Sequence, residues 1–280
     1  MSTGHILLLG TIAGATIFLG LPVGRMRGLG PAARAALSAL ATGILIFLLW
    51  DVLSEMVEPI EGALDARHWG RLSWLAAIGA AGFALGLMSL VYYAEWMQRR
   101  SDRRATALVG PGAAAVDEFA HRTWLDTLTP GKQLALLIAI GIGVHNFGEG
   151  LAIGQAAAAS QISLAVTLII GFGLHNATEG FGICGPISGE GTRPSWGFLG
   201  LMGLIGGGPT FLGTVVGQAW SSEALSVAFF AVAGGSILYV VQELHAVNRR
   251  YGHPTLVTWL VLAGLVLGFA TDFVVAAAGV

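Results

Sequence analysis

The sequence predicts an all-α polytopic membrane protein with eight transmembrane helices. Three observations carry that prediction. First, 55% of the residues are hydrophobic and only 11% are charged, with a mean hydropathy of +0.75, whereas a soluble domain is about 25% charged. Second, the chain divides into eight apolar runs at 4–23, 33–57, 72–97, 131–157, 161–187, 195–220, 224–248 and 255–279. Each offers the ~20 residues that a helix needs to cross the hydrocarbon core, so 1–280 reads as one integral membrane domain. Third, 42 of 280 residues are glycine, about twice the usual share. Glycine is favoured where membrane helices pack backbone to backbone.

Each span has its own signals. Span one carries no basic residue before Arg25; the charged start of a cleaved signal peptide is missing, and the segment is expected to stay as a helix. Arg25, Arg27 and Arg34 separate it from span two, which holds Asp51 and Glu55 four residues apart, hence on one helix face. Arg67 and Arg71 lie between spans two and three. Span three ends in Arg99, Arg100, Arg103 and Arg104, which open a connection over about 99–130 containing "VGPGAAA", His121 and Arg122. That connection reads as a solvated, partly disordered cytoplasmic loop, and its single histidine makes no metal-handling cluster. Spans four and five are joined by the short uncharged "AAAASQ" and are therefore antiparallel neighbours. Arg193 follows span five, and span six reads "IGGGPTFLG". Span seven carries Gln242, Glu243 and His245 near its end, followed by Arg249 and Arg250. Glu95 and Asp272 fall at helix ends and read as interfacial. Of the 14 basic residues only Arg67 and Arg71 lie on the side of the termini. Basic loops stay cytoplasmic, so both termini are expected outside, in the plasma membrane. Small-xxx-small spacings at Gly10/Gly14, Gly82/Gly86, Gly203/Gly207, Gly213/Gly217 and Gly264/Gly268 predict helix pairs in close approach.

Charge and cysteine content exclude several classes. A net charge of -2 offers no footprint for nucleic acid. The lone Cys184 rules out a disulfide framework or a multi-cysteine metal site within one chain, and reads as a small packing residue.

Function is concentrated in two stretches, "VHNFGEG" at Val144–Gly150 and "LHNATEG" at Leu174–Gly180. At 1.5 Å per residue both histidines lie about 20 Å into their spans, near the midplane. Positions three and four apart share a face, so His145, Asn146 and Glu149 project together, as do His175, Asn176 and Glu179. A buried carboxylate costs several kcal/mol unless it is paired, and neither span interior holds a Lys or Arg to pair with Glu149 or Glu179. A divalent cation is the natural compensating charge. Imidazole suits Zn²⁺, Fe²⁺ or Co²⁺, while carboxylate and amide oxygens extend the range toward Mn²⁺. The alternative is that each His and Asn hydrogen-bonds across a helix interface while each Glu is protonated. Asp51 and Glu55 occupy the outer half of span two, as an acidic entrance or as side chains reaching the headgroups beside Glu58 and Glu61. Gln242, Glu243 and His245 mark either an inner exit or a solvated helix end.

Eight spans, outside termini, a long third loop and facing HNxxEG motifs resemble the ZIP (Zrt/Irt-like) family of divalent-metal transporters over essentially the whole chain. The resemblance implies that spans one to three and six to eight form an inverted repeat around spans four and five. It also implies that His145, Glu149, His175 and Glu179 make the main transport site, and that Asn146 and Asn176 join the shared carboxylates in a neighbouring one. A homodimer and alternating access by movement of one helix group against another are further expectations. Transported Zn²⁺, or Fe²⁺, Mn²⁺, Co²⁺ or Cd²⁺, would be substrate rather than cofactor. The chain departs from the family pattern in carrying Gly148 and Thr178 where Pro is usual, and Gly207, Gly208 and Pro209 where span six often offers a carboxylate. A membrane metalloenzyme and a metal-gated receptor are the competing readings. Against the enzyme, the order here is His-x-x-x-Glu rather than Glu-x-x-His or His-Glu-x-x-His.

Overall fold

The structure, a computed structural model, describes residues 3–26, 30–107, 124–160, 162–187, 193–219 and 222–277. Its helices in chain order are α1 (Thr3–Ala15), α2 (Ile17–Gly20), α3 (Pro31–Asp65), α4 (Trp69–Ala107), α5 (Pro130–Ala158), α6 (Ile162–Cys184), α7 (Trp196–Ala219), α8 (Glu223–Arg250) and α9 (Pro254–Ala277). Single 3₁₀ turns stand at Leu21–Arg25, Trp124–Thr127 and Gly185–Ile187. Among the described residues there is no strand.

Proline and glycine mark many helix ends. Helices α3, α5 and α9 begin at Pro31, Pro130 and Pro254, where the missing N–H is not needed. Thr129 caps α5 by accepting from the Lys132 N–H at 3.4 Å. Between α8 and α9 the chain turns at Gly252, whose φ of 71° is a left-handed conformation that glycine adopts without strain.

Among the described residues, seven stretches are long and apolar enough to cross a membrane: Thr3–Arg25, Pro31–Asp65, Trp69–Arg99, Pro130–Ala158, Trp196–Ala219, Glu223–Arg250 and Pro254–Phe273. The remaining expected span is α6, whose 23 residues extend about 35 Å. Two helices outrun their apolar windows. Helix α3 continues to Asp65 and α4 to Ala107, because the charged residues that end hydropathy do not end helix; once water is available, Glu and Arg are good helix formers. The start of the expected loop at 99–130 is thus helical, while His121 and "VGPGAAA" lie outside the described residues.

The helices sort into two groups of four spans. The broken first span (α1, α2 and Leu21–Arg25) packs with α5, α6 and α7, and the second group is α3, α4, α8 and α9. The main contacts exchange with one another when spans one and six, two and seven, three and eight, and four and five are swapped: α5 with α7 corresponds to α6 with the first span, and α4 with α8 corresponds to α9 with α3. This is the contact pattern of an inverted repeat about the α5–α6 pair. Glycines set the distance between helices. A Cβ on Gly143, Gly150 or Gly154 of α5 would strike the carbonyl of Ile205, Thr210 or Thr214 of α7, and one on Gly213 or Gly217 would strike Phe147 or Leu151. Gly43 with Gly264, and Gly86 with Gly235, hold the corresponding α3–α9 and α4–α8 pairs equally close.

Candidate metal centre

Half-way along α5 and α6 the two motifs meet. His145 and Glu149 are each 2% exposed, Glu179 1%, and Asn146 and Asn176 0%. On α5 the four-residue spacing brings His145 Nε2 to 3.3 Å from Glu149 Oε1, and the same nitrogen lies 3.9 Å from Glu179 Oε1 on α6. Asn146 Nδ2 donates across the interface to Glu179 Oε2 at 3.0 Å and to the Gly206 carbonyl of α7 at 3.0 Å. Asn176 in turn faces Glu149 closely enough to act on its carboxylate. Each helix's amide therefore addresses the other helix's glutamate, as the two-fold exchange of α5 and α6 requires.

A break in the first span completes the frame. Helix α1 stops at Ala15, and the Thr16 hydroxyl donates back to the Ala13 carbonyl at 2.7 Å. That carbonyl also accepts from Asn176 Nδ2 at 3.1 Å. Among the described residues, Asn146 Oδ1, Asn176 Oδ1 and Glu179 Oε1 are buried with no hydrogen-bond donor, so three oxygen lone-pair groups remain at the centre. Buried oxygens without donors are costly, and a cation is one partner that can offset that cost. The His175 backbone lies in α6, but its side chain is outside the described residues. Among the described residues, no three of His, Cys, Asp and Glu stand close enough to hold a metal ion by themselves.

The centre opens toward the end of the bundle that carries both termini. A cavity of about 130 Å³ reaches His145 and Glu149 and is lined further by Asp51 and Glu55 of α3, Phe230 of α8 and Asp272 of α9. Asp272, which the sequence reads as interfacial, stands on the face of α9 that lines this cavity. A lone acid near the end of an apolar run was its only signal. Glu95, by contrast, is at the surface and pairs with Arg99 at 2.9 Å. Toward the opposite, arginine-bearing end, Leu45, Ile138, Ile142, Ile183 and Met202 pack as a continuous apolar cluster. The expected line of polar groups is interrupted there. Glu243 sits beyond it, in a separate cavity of about 370 Å³ with Gln98, Gln133, Tyr239 and Arg250, whereas Gln242 and His245 are exposed.

Comparison with known proteins agrees with this architecture. The family described as "ZIP Zinc transporter" matches residues 118–276. The zinc transporter ZupT of Corynebacterium glutamicum is 31% identical over 245 residues, covering 82% of this chain and 86% of that protein. ZupT of Salmonella heidelberg is 28% identical over 271 residues, 92% of each chain, and ZupT of Escherichia coli O1:K1 is 34% identical over 145 residues, 50% of this chain and 55% of that one. With the helical bundle, the central α5–α6 pair and this similarity over most of its length, the chain belongs to the ZIP family.

Proposed function

We propose that the protein carries divalent transition-metal ions, Zn²⁺ foremost, across the plasma membrane into the cytoplasm, through the centre formed by His145, Asn146, Glu149, His175, Asn176 and Glu179. Its relatives in three bacteria bear the name zinc transporter. One observation carries the site: two buried glutamates from different helices, braced by each other's asparagine, share one imidazole at 3.3 and 3.9 Å. Negative and lone-pair groups gathered in this way are arranged for a cation, since Lys132 in the first turn of α5 is the only Lys or Arg in either helix and lies more than three turns from His145.

Both termini are taken as external, since the arginine-bearing end carries the basic loops. The cavity then opens outward. Asp51, Glu55 and Asp272 line the approach, the ion exchanges water for imidazole and carboxylate ligands at the centre, and the apolar cluster beneath holds the inner side shut. Amide oxygens are weak, neutral ligands, which favours transient binding over permanent capture. Sliding of the α5–α6–α7 group with the first span against the other four helices transfers access to the cytoplasmic side, where Glu243 lines an exit. A homodimer in the lipid bilayer completes the assembly.

Reconstitution into sealed vesicles tests this reading. Radioactive zinc should accumulate inside and be competed by Cd²⁺, Co²⁺, Fe²⁺ or Mn²⁺ in an order that defines selectivity. Glu149→Gln and Glu179→Gln, which keep shape and remove charge, should each abolish uptake while the protein elutes as a folded species. Wild-type flux in either variant removes the metal-site assignment, and tight binding without flux would identify a receptor rather than a carrier.

A further inference from the structure

Helix α8 presents two consecutive phenylalanines to the ligand-bearing turn of α5. The Phe229 ring packs against Phe147 with centroids 4.6 Å apart and planes tilted by 45°. Phe230 fills the space left by the missing side chain of the next residue: a Cβ on Gly148 would lie 2.9 Å from its Cε1 and 3.2 Å from its Cδ1. Phe147 and Gly148 are the two residues between Asn146 and Glu149. The remaining face of Phe230 lines the cavity beside His145 and Glu149.

Two features separate this contact from ordinary packing. Gly143, Gly150 and Gly154 abut the backbone of α7, in their own helix group, whereas Gly148 meets only a side chain from the other group. The contact also crosses the boundary along which the two groups must shift. Nearer the termini that boundary is bridged by Gln155 Nε2 donating to Ser226 Oγ at 3.5 Å.

We propose that Phe229 and Phe230 form an aromatic clasp on Phe147–Gly148, and that Phe230 is a positioning residue for metal uptake, holding the α5 turn so that His145 and Glu149 face the incoming ion together. The clasp rests on the transport site proposed above. Ligands spaced four apart on a helix serve one ion only while the turn that carries them is held in orientation. An apolar ring on the cavity wall also excludes water from that side of the ligand pair. The absence of a side chain at 148 is what lets the ring reach the turn, and the ring must leave the notch when α5 slides past α8.

The test is a paired substitution read as zinc uptake kinetics in vesicles. Gly148→Ala does not weaken the helix, because alanine is the better helix former, but its Cβ displaces the Phe230 ring. It should raise the KM for Zn²⁺ about three- to tenfold, the scale of one aromatic contact, with little change in maximal rate. Phe230→Leu should raise KM similarly, and Gly148→Ala combined with Phe230→Leu should return KM toward wild type, since the shorter side chain makes room for the Cβ. A wild-type KM in Gly148→Ala, or a double variant no better than Gly148→Ala alone, overturns the clasp. Glu149→Gln measured alongside distinguishes the two levels. If it is inactive while Gly148→Ala behaves as wild type, only the clasp falls; if it transports normally, the site falls and the clasp's role with it.

Discussion

Asn146 has the most demanding position of any single residue in the centre. Its one amide nitrogen serves both Glu179 and the Gly206 carbonyl, so it ties α5 to α6 and α7 at once. Asn146→Ala should therefore destabilise the metal-free protein by about 1–3 kcal/mol, the cost of leaving buried acceptors without a donor. Thermal unfolding in detergent with chelator present checks this, and an unchanged midpoint would mean that water replaces the amide. Asn146→Asp should separate structure from binding. A third carboxylate beside Glu179 lowers stability without metal, and added Zn²⁺ should then raise the midpoint by more than it does in wild type, because a ligand that binds only the folded state stabilises in proportion to its affinity.

At the scale of elements, the decisive contact is between α5 and α7. Its glycines interlock from both sides, so each side chain added there must push two backbones apart. Gly150→Val, aimed at the Thr210 carbonyl, should eliminate the monodisperse species in size exclusion. Gly62→Ala is the matched control: apart from its chain neighbours and the backbone of its own helix, nothing stands within 4 Å of its Cβ position, and an exposed helical Gly→Ala change should be neutral or stabilising by up to about 1 kcal/mol. Equal loss in both variants would mean that glycine acts here through helix flexibility rather than through interhelical distance.

At the scale of the whole molecule, charge and access have to agree. Asp51, Glu55 and Asp272 face one cavity with His145 and Glu149, and on the proposed pathway carboxylates that are ionised there would raise the cation concentration at the mouth. Asp51→Asn should raise the apparent KM for external metal more than it lowers the maximal rate. The difference should shrink as ionic strength grows and the screening length falls below about 10 Å. Loss of central binding instead would make Asp51 a direct ligand. Orientation has its own check, helped by burial of the only native thiol, Cys184. In intact cells, Arg67→Cys should react with an impermeant thiol reagent and His253→Cys should not; the reverse result would invert the topology and the direction of transport with it.

Most of the fold was legible in the sequence because a bilayer imposes a one-dimensional rule: about 20 apolar residues per crossing, with arginines left on one side. That the two motif-bearing segments lie side by side was legible for a similar reason, since antiparallel neighbours joined by a short connection bring residues about equally far from that connection to the same depth. Helix ends beyond the membrane were not, because α3 and α4 continue as charged helix where hydropathy is silent. The place of Asp272 in the cavity was hidden for a related reason: linear sequence gives its depth but not the helix face it occupies. Only tertiary packing decided that Asp51, Glu55 and Asp272 share the cavity of His145 and Glu149, that the broken first span offers the Ala13 carbonyl to Asn176, and that Phe230 rests in the gap at Gly148. Each of these joins residues from helices far apart in the chain, and the rotation of one helix about its axis against another is set by packed surfaces, which no local pattern encodes.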